Sequence, residues 1–400
     1  MEVTVVIPTY WTWKRGTPPQ PGDATYDHPT ALDEPGNLAR LLESLGAITR
    51  PEFNVAVITA ATNPQLEPQA EAKVEEIIAP FRGAFPIAQF AYRALLTLHT
   101  HMEGSGCGDL VPFISLRGYG NIRNIQLIVP QLLGSQVVVA LDDDEVVKAD
   151  YLLKATEFIG RQHQGRPVLG VTGFYLDREG NKPLPERKRT GNIFLDKNAI
   201  MNEGTRALET LSGRLVETPI ALGGNMVIHR HLFELVPFDP YIPRGEDIDY
   251  LINSRLAGFH FFLDKELTIT HLPPEEYGAL PYSKLHQDVF RFLYEREKLL
   301  AASERPNFTP LKPQALDPYP GRFLREDVAD QALEALQRMA SLETVARYGS
   351  PEEIVALAVH HARESVAGYF AFARRWPRMM ATLTRDQQLS HHLRDLLAPG

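Results

Sequence analysis

The chain has 400 residues, 44% hydrophobic and 23% charged, with 41 Lys and Arg against 50 Asp and Glu for a formal net charge of -9. That length allows two or three domains, the composition is that of a soluble globular protein, and the acidic excess argues against a nucleic-acid binder. A single cysteine, Cys107, excludes an intramolecular disulfide, speaks against a cysteine-based zinc site and has no visible activating partner in Gly104-Ser-Gly-Cys-Gly.

Val3 to Ile7 is a β-branched run ending at Pro8, which predicts a buried first strand rather than a signal peptide. Trp11 to Gly36 is rich in Pro and Gly and has no periodicity; loops of this length are functional or simply mobile. Its Lys14, Arg15, Tyr26 and His28 are candidates to close over a ligand. Asn37 is placed to cap a helix over 38–45, with Leu38, Leu41, Leu42 and Leu45 on one face. A strand over 53–59 and a helix over 65–81 follow, and 87–99 is ambiguous between strand and helix. Helix 121–133 opens after Gly118-Tyr-Gly120, strand 136–141 precedes a helix at 151–160, and 168–176 reads as a strand. This alternation predicts an α/β domain built on a largely parallel sheet. It runs to about His271; then come a helix over 284–302, a Pro-rich linker over 306–322 and a mainly helical pattern over 325–397. The expected division is residues 1–272 as the α/β unit and 283–400 as a helical C-terminal region. The most apolar stretch, 125–141, is interrupted by Pro130, Gly134 and glutamines, so it is no membrane span, and a cytoplasmic location is the default.

The run Val137-Val-Val-Ala-Leu-Asp142-Asp143-Asp144-Glu145 carries the chemistry. A buried strand does not accommodate four acids, so they are expected at its exposed end, where ligands of open α/β sheets bind. Crowded carboxylates suit Mg²⁺ or Mn²⁺ shared with a phosphate; the bland reading is an acidic turn before a helix. Three further pieces stand in order with it: Val5-Val-Ile-Pro-Thr9-Tyr10; Gly118-Tyr-Gly120-Asn121-Ile-Arg123-Asn124; and Gly223-Gly224-Asn225 followed by Arg244-Gly245-Glu246-Asp247-Ile-Asp249.

With these pieces the chain, over about residues 1–272, resembles the family-2 glycosyltransferases of the GT-A fold. The resemblance implies a Rossmann-like, mostly parallel central sheet flanked by helices, a UDP- or GDP-linked sugar donor, and a Mg²⁺ or Mn²⁺ cofactor. It implies donor contacts from Thr9, Tyr10, Arg123, Asn124, Asp142, Asp143, Gly223 and Gly224. It makes Asp142 and Asp144 the Asp-x-Asp metal ligands, with His271 as a third. Asp247 matches the general base of inverting members, with Glu246 beside it as a helper, and Asp249 reads as structural. After the second strand the chain has Ile58-Thr-Ala-Ala-Thr62-Asn63-Pro64 where the family often has an acid, so Thr62 and Asn63 take the base-contacting role.

The physics agrees with that reading. A metal between phosphates stabilises a departing nucleoside diphosphate, and a carboxylate takes the acceptor proton. The basic run Arg187-Lys188-Arg189 is a candidate for binding an acidic acceptor, against the plain reading of a solvated loop. Tyr369-Phe-Ala-Phe372 to Trp376 and Met380 is either a membrane-docking face, suited to a lipid-linked acceptor, or a helix packed on its own chain or a second copy. The acceptor itself is open among small molecule, glycan and lipid-linked forms, and no nucleic-acid partner is expected. Alternatives are a retaining GT-A transferase that makes a compatible-solute glycoside on (phospho)glycerate, a sugar-phosphate nucleotidyltransferase, and a non-catalytic nucleotide-sugar-binding protein. The nucleotidyltransferase fits least, because Pro8-Thr-Tyr-Trp rather than a Gly-rich loop follows the first strand.

Overall fold

The computed structural model describes residues 1–49, 51–182, 184–186, 188–273 and 281–397. Its centre is a ten-stranded mixed sheet. The strands β1 (Val3–Thr12), β2 (Phe53–Ala61), β3 (Ile87–Phe90), β4 (Val137–Ala140), β5 (Gly170–Leu176), β6 (Leu215–Glu217), β7 (Met226–His229) and β8 (Phe261–His271) lie in the order β6-β8-β5-β7-β4-β1-β2-β3. Thr30–Ala31 adds to β1 and Glu145–Val146 to β8. β4, β1, β2 and β3 run parallel, as do β5 and β8, while β7 is antiparallel between β4 and β5.

Alternation along the strands builds two cores, one on each face of the sheet. Val3, Val5 and Ile7 of β1 and Val137 and Val139 of β4 face one; Val6, Val138 and Ala140 face the other. The first is covered by α1 (Leu38–Gly46), α2 (Glu67–Ile78) and α5 (Tyr151–Glu157), and the second by α3 (Tyr92–Gly104) and α4 (Tyr119–Leu133). A third cluster joins α6 (Lys197–Thr210), α7 (Glu246–Leu256), α8 (Tyr282–Ser303), α9 (Val328–Met339) and the first half of α10 (Pro351–Arg385) to Phe174, Val216 and Leu263 of the sheet. The second half of α10 and α11 (Gln387–Leu397) return to the α4 side. No described helix is long and apolar enough to cross a membrane.

Several local expectations change. β1 continues through Pro8 to Thr12. Even-numbered residues of β1 point their backbone groups toward β4, whose pairing ends at Val6, so the missing Pro8 N–H forfeits no bond. The ambiguous 87–99 stretch divides: Ile87–Phe90 pairs with β2, and Leu95, Leu98 and Met102 then bury one face of α3. Asn37 sits at the start of α1 without a side-chain cap bond. The Pro-rich 306–322 stretch is packed, with Leu316 and Tyr319 buried. Tyr369, Phe372, Trp376, Met379 and Met380 are buried on their own chain, and Trp376 Nε1 donates to the Phe233 carbonyl at 2.8 Å, so these side chains are not a free membrane face.

Candidate active site

The acidic loop starts where β4 ends. The Asp142 N–H donates to Glu145 Oε2 (3.0 Å), and Glu145–Val146 pairs with Thr270–His271 at the end of β8. That pairing sets His271 opposite Glu145 and brings its Nε2 to 3.3 Å from Asp144 Oδ2. Only part of the run is at an exposed end: Asp142 and Asp143 are half-buried on the cleft, whereas Asp144 is 7% exposed and Glu145 not at all. Their charge is reduced in place. Asp142 Oδ1 lies 2.9 Å from the Arg123 guanidinium, and Asp143 accepts from Thr9 Oγ1 at 2.6 Å. Burial, reinforced by Asp144, pushes the Asp143 carboxyl up to about 8, and burial raises the Glu145 carboxyl well above its ordinary value.

Arg123 on α4 also donates to Glu246 Oε1 (3.0 Å), the first residue of α7, and to Gln126 (3.1 Å). Gly223 and Gly224 are squeezed between these charges: a Cβ on Gly223 would lie 2.6 Å from Arg123 Nη2, and one on Gly224 1.9 Å from Glu145 Oε1. The Gly223 N–H donates to Asp247 Oδ2 (3.0 Å), while Asp247 Oδ1 accepts from the Ile248 N–H (2.7 Å). Asp247 is thus aimed by two backbone donors at a helix N-terminus and remains partly exposed, whereas Glu246 is buried against Arg123.

A cleft of about 270 Å³ opens here. It gathers Tyr10, Arg123, Asp142, Asp143, Asp144, Gly223, Glu246, Asp247 and His271 from the sequence candidates, and His28 from the long loop. The others do not line it. Thr9 sits behind Asp143. Asn124 faces away and latches Phe238 through both backbone groups, each at 2.9 Å. Thr62 bonds Thr12, Asn63 caps the turn at Gln65 and holds Asp23, and the Gly224 N–H donates to the Tyr175 hydroxyl. Lys188 and Arg189 are exposed, and Arg189 pairs with Glu203 at 3.6 Å. Arg187 lies outside the described residues. Lys14 and Arg15 are exposed too, while Tyr26 is buried against Tyr10 and Tyr119, with ring centroids 4.5 and 5.2 Å away.

Patterning missed Asp27, Tyr119, Tyr175, Lys197, Arg244, Arg291 and Tyr319, all of which line the cleft. Tyr119 and Arg244 lie inside motifs read for their neighbours. Arg291 and Tyr319 come from segments read as a helix and a linker, Lys197 from a stretch given no element, and no local signal marks any of them.

Among the described residues no group of three or more His, Cys, Asp or Glu side chains is arranged to hold a metal ion. Asp144 and His271 offer two ligands, and their 3.3 Å separation fits adjacent positions around a small divalent ion, whose bonds of about 2.1 Å place neighbouring donors roughly 3 Å apart. Two protein ligands suit an ion that takes its remaining ligands from water and substrate phosphates. Asp142 is turned to Arg123 instead.

No protein-family model matches the sequence, and no curated protein matches it. Among solved structures, similar chains include the mannosyltransferase PcManGT from Pyrobaculum calidifontis in complex with GDP-Man and Mn²⁺, at 15% identity over 98% of this chain and 86% of that one, TM-score 0.43. Another is GalNAc-T7 with UDP, GalNAc and Mn²⁺, at 13% identity over 83% and 57% of the two chains, TM-score 0.43. A third is a mycobacterial protein at 15% identity over 76% and 75%, TM-score 0.39. Likeness at this level carries no argument about chemistry, which rests on the cleft.

Proposed function

We propose that the chain is a metal-dependent glycosyltransferase of the GT-A type, moving a sugar from a UDP- or GDP-linked donor to an acceptor hydroxyl with inversion. The observation that supports it is one cleft holding the Asp144–His271 pair and the backbone-aimed Asp247 at the strand ends of a mostly parallel sheet. In this reading residues 1–272 bind the donor, and the helical 283–400 region contributes Arg291 and Tyr319 to the cleft wall.

Asp144 and His271 would hold a Mn²⁺ or Mg²⁺ ion, which would supply charge neutralisation for a departing nucleoside diphosphate. Arg123 holds Asp142 and Glu246 in register. Asp247 takes the proton of the acceptor hydroxyl as its oxygen bonds the anomeric carbon and the sugar–phosphate bond breaks. A positioned base of this kind contributes roughly 10²–10⁴-fold in rate. Tyr10 and His28 line the same space for donor contacts.

Calorimetry with UDP- and GDP-sugars, with and without Mn²⁺, tests the donor half. Manganese-dependent binding of one donor that disappears in Asp144→Ala is expected. Absence of binding by every donor under both conditions overturns the reading. The anomeric configuration of the product, read by NMR, tests inversion.

A further inference from the structure

The part of the cleft around Asp247 carries three cations that the transfer chemistry leaves unused. Lys197 opens α6, Arg244 immediately precedes Gly245 at the start of α7, and Arg291 projects from α8. Their partners do not saturate them. Lys197 Nζ bonds Asp288. Arg244 reaches Asp27 at 2.9 Å but Asp288 only at 3.7 Å, and Arg291 bonds Glu295 at 2.9 Å and the Tyr319 hydroxyl at 3.2 Å. Among the described residues Nη1 of Arg244 and Nη2 of Arg291 are left buried without a hydrogen-bond partner, and Arg291 as a whole is only 4% exposed. A guanidinium nitrogen withdrawn from water with no acceptor is costly; Asp288 Oδ1 and Glu295 Oε2 are also buried there without a hydrogen bond, but they bond neither nitrogen. Burial first, and then the like charges of Arg244 and Arg291, bring the Lys197 ammonium down to about 8 against the pull of Asp288. Gly245 makes the cluster possible: at φ +69°, with a would-be Cβ 2.0 Å from Arg291 Nη1, no side chain fits between backbone and guanidinium.

We infer that Lys197, Arg244 and Arg291 form the seat for an anionic group of the acceptor, a carboxylate or a phosphate, so that the acceptor is a small hydroxy acid or its phosphate-bearing counterpart rather than a neutral sugar or a lipid. This rests on the glycosyl-transfer reading of the same cleft. The seat and the base are neighbours: Arg291 Nη1 lies against Gly245, two residues before Asp247, and both Arg291 and Asp247 line the cleft. An anion held there lies a few atoms from the hydroxyl whose proton Asp247 takes, which is what makes the acceptor small. The exposed Lys188 and Arg189, remote from the cleft lining, are not needed for it.

Two measurements test the seat and separate it from the donor site. In the first, glycolate and inorganic phosphate are titrated separately into the protein alone, using wild type, Lys197→Gln and Lys197→Arg. Binding of at least one anion, lost in Lys197→Gln and kept in Lys197→Arg, is expected, and which anion binds names the group. No binding of either anion to wild type, or equal binding to Lys197→Gln, overturns the inference; unchanged circular dichroism of the variants guards against misfolding. In the second, ethylene glycol, glycolate and 2-hydroxyethyl phosphate are compared as acceptors with whichever donor binds. An anionic member is expected to exceed the neutral one at least about tenfold in kcat/KM, and Lys197→Gln to raise its KM roughly 10–100-fold, the worth of a charged hydrogen bond, while donor Kd stays constant. Donor affinity that falls as far as anion affinity assigns the cations to the donor and overturns the inference. Failure of all donors to bind sinks the glycosyl-transfer reading, while the anion titration still reports on the seat.

Discussion

Arg123→Met removes a cation that faces two acids at once, a buried Glu246 and a half-buried Asp142. Its guanidinium lies 2.9 Å from Asp142 and 3.0 Å from Glu246, with Arg123 5% and Glu246 6% exposed. Deleting one partner of a buried ion pair costs about 3–5 kcal/mol, because the other charge is left uncompensated. With Glu246 stranded in burial and Asp142 partly solvated on the cleft, the lower end, about 3 kcal/mol at pH 7, is expected from urea unfolding. The loss depends on pH. Burial already raises both carboxyls, against which Arg123 pulls them down. A raised carboxyl binds its proton more tightly folded than unfolded, so stability falls as pH rises from the unfolded carboxyl range toward the folded value. Without Arg123 that fall is larger and extends to higher pH. The gap between variant and wild type therefore narrows toward pH 5 and widens toward pH 8. The triple variant Arg123→Met, Asp142→Asn, Glu246→Gln, with no ionised group left in the cluster, recovers most of the loss. A gap below about 1 kcal/mol, or one that does not change with pH, refutes the reasoning.

Other outcomes follow from the same geometry. His271→Ala is expected to weaken Mn²⁺ affinity by more than about tenfold, since losing even an outer-shell partner of a metal costs 10–100-fold; equal affinity by titration removes His271 from the metal site. Gly224→Ala, whose Cβ would meet Glu145 Oε1 at 1.9 Å, is expected to cost about 1–3 kcal/mol in thermal unfolding, and an unchanged melting temperature contradicts the packing. Lys298→Met strands Asp239 and Asp249 in the fully buried base of α7, each 2.5 Å from Lys298 Nζ, for about 3–5 kcal/mol by chemical denaturation. Glycolate affinity is expected to decline as pH rises through 8, where Lys197 loses its proton among Asp288, Arg244 and Arg291; Lys197→Arg abolishes that decline, and a flat wild-type profile from pH 7 to 9 contradicts it. In the same window the folded Lys197 holds less proton than the unfolded one, so its contribution to stability rises with pH.

What could be read from sequence was local. Alternating apolar residues in β1 and β4 mark strands buried on both faces, and Asp142 to Glu145 breaks the second so abruptly that a site is implied. Gly223-Gly224 and Glu246-Asp247 carry their own signals, backbone without side chains and acids at a helix start, and both line or abut the cleft. What could not be read was pairing across the fold. Nothing near Asp142 says that its charge is met by Arg123, nor near Asp144 that the end of β8 delivers His271 beside it, although all four residues stood out separately. Lys197, Arg291 and Tyr319 had no signal at all, because a cation or phenol on a helix or in a Pro-rich stretch looks the same facing solvent or a cleft. Local periodicity and backbone conformation depend on neighbours in sequence, so the chain alone determined its strands, helices and acidic turn. Burial, charge compensation and the shape of the cleft depend on which distant surfaces meet, and only the tertiary structure decided those.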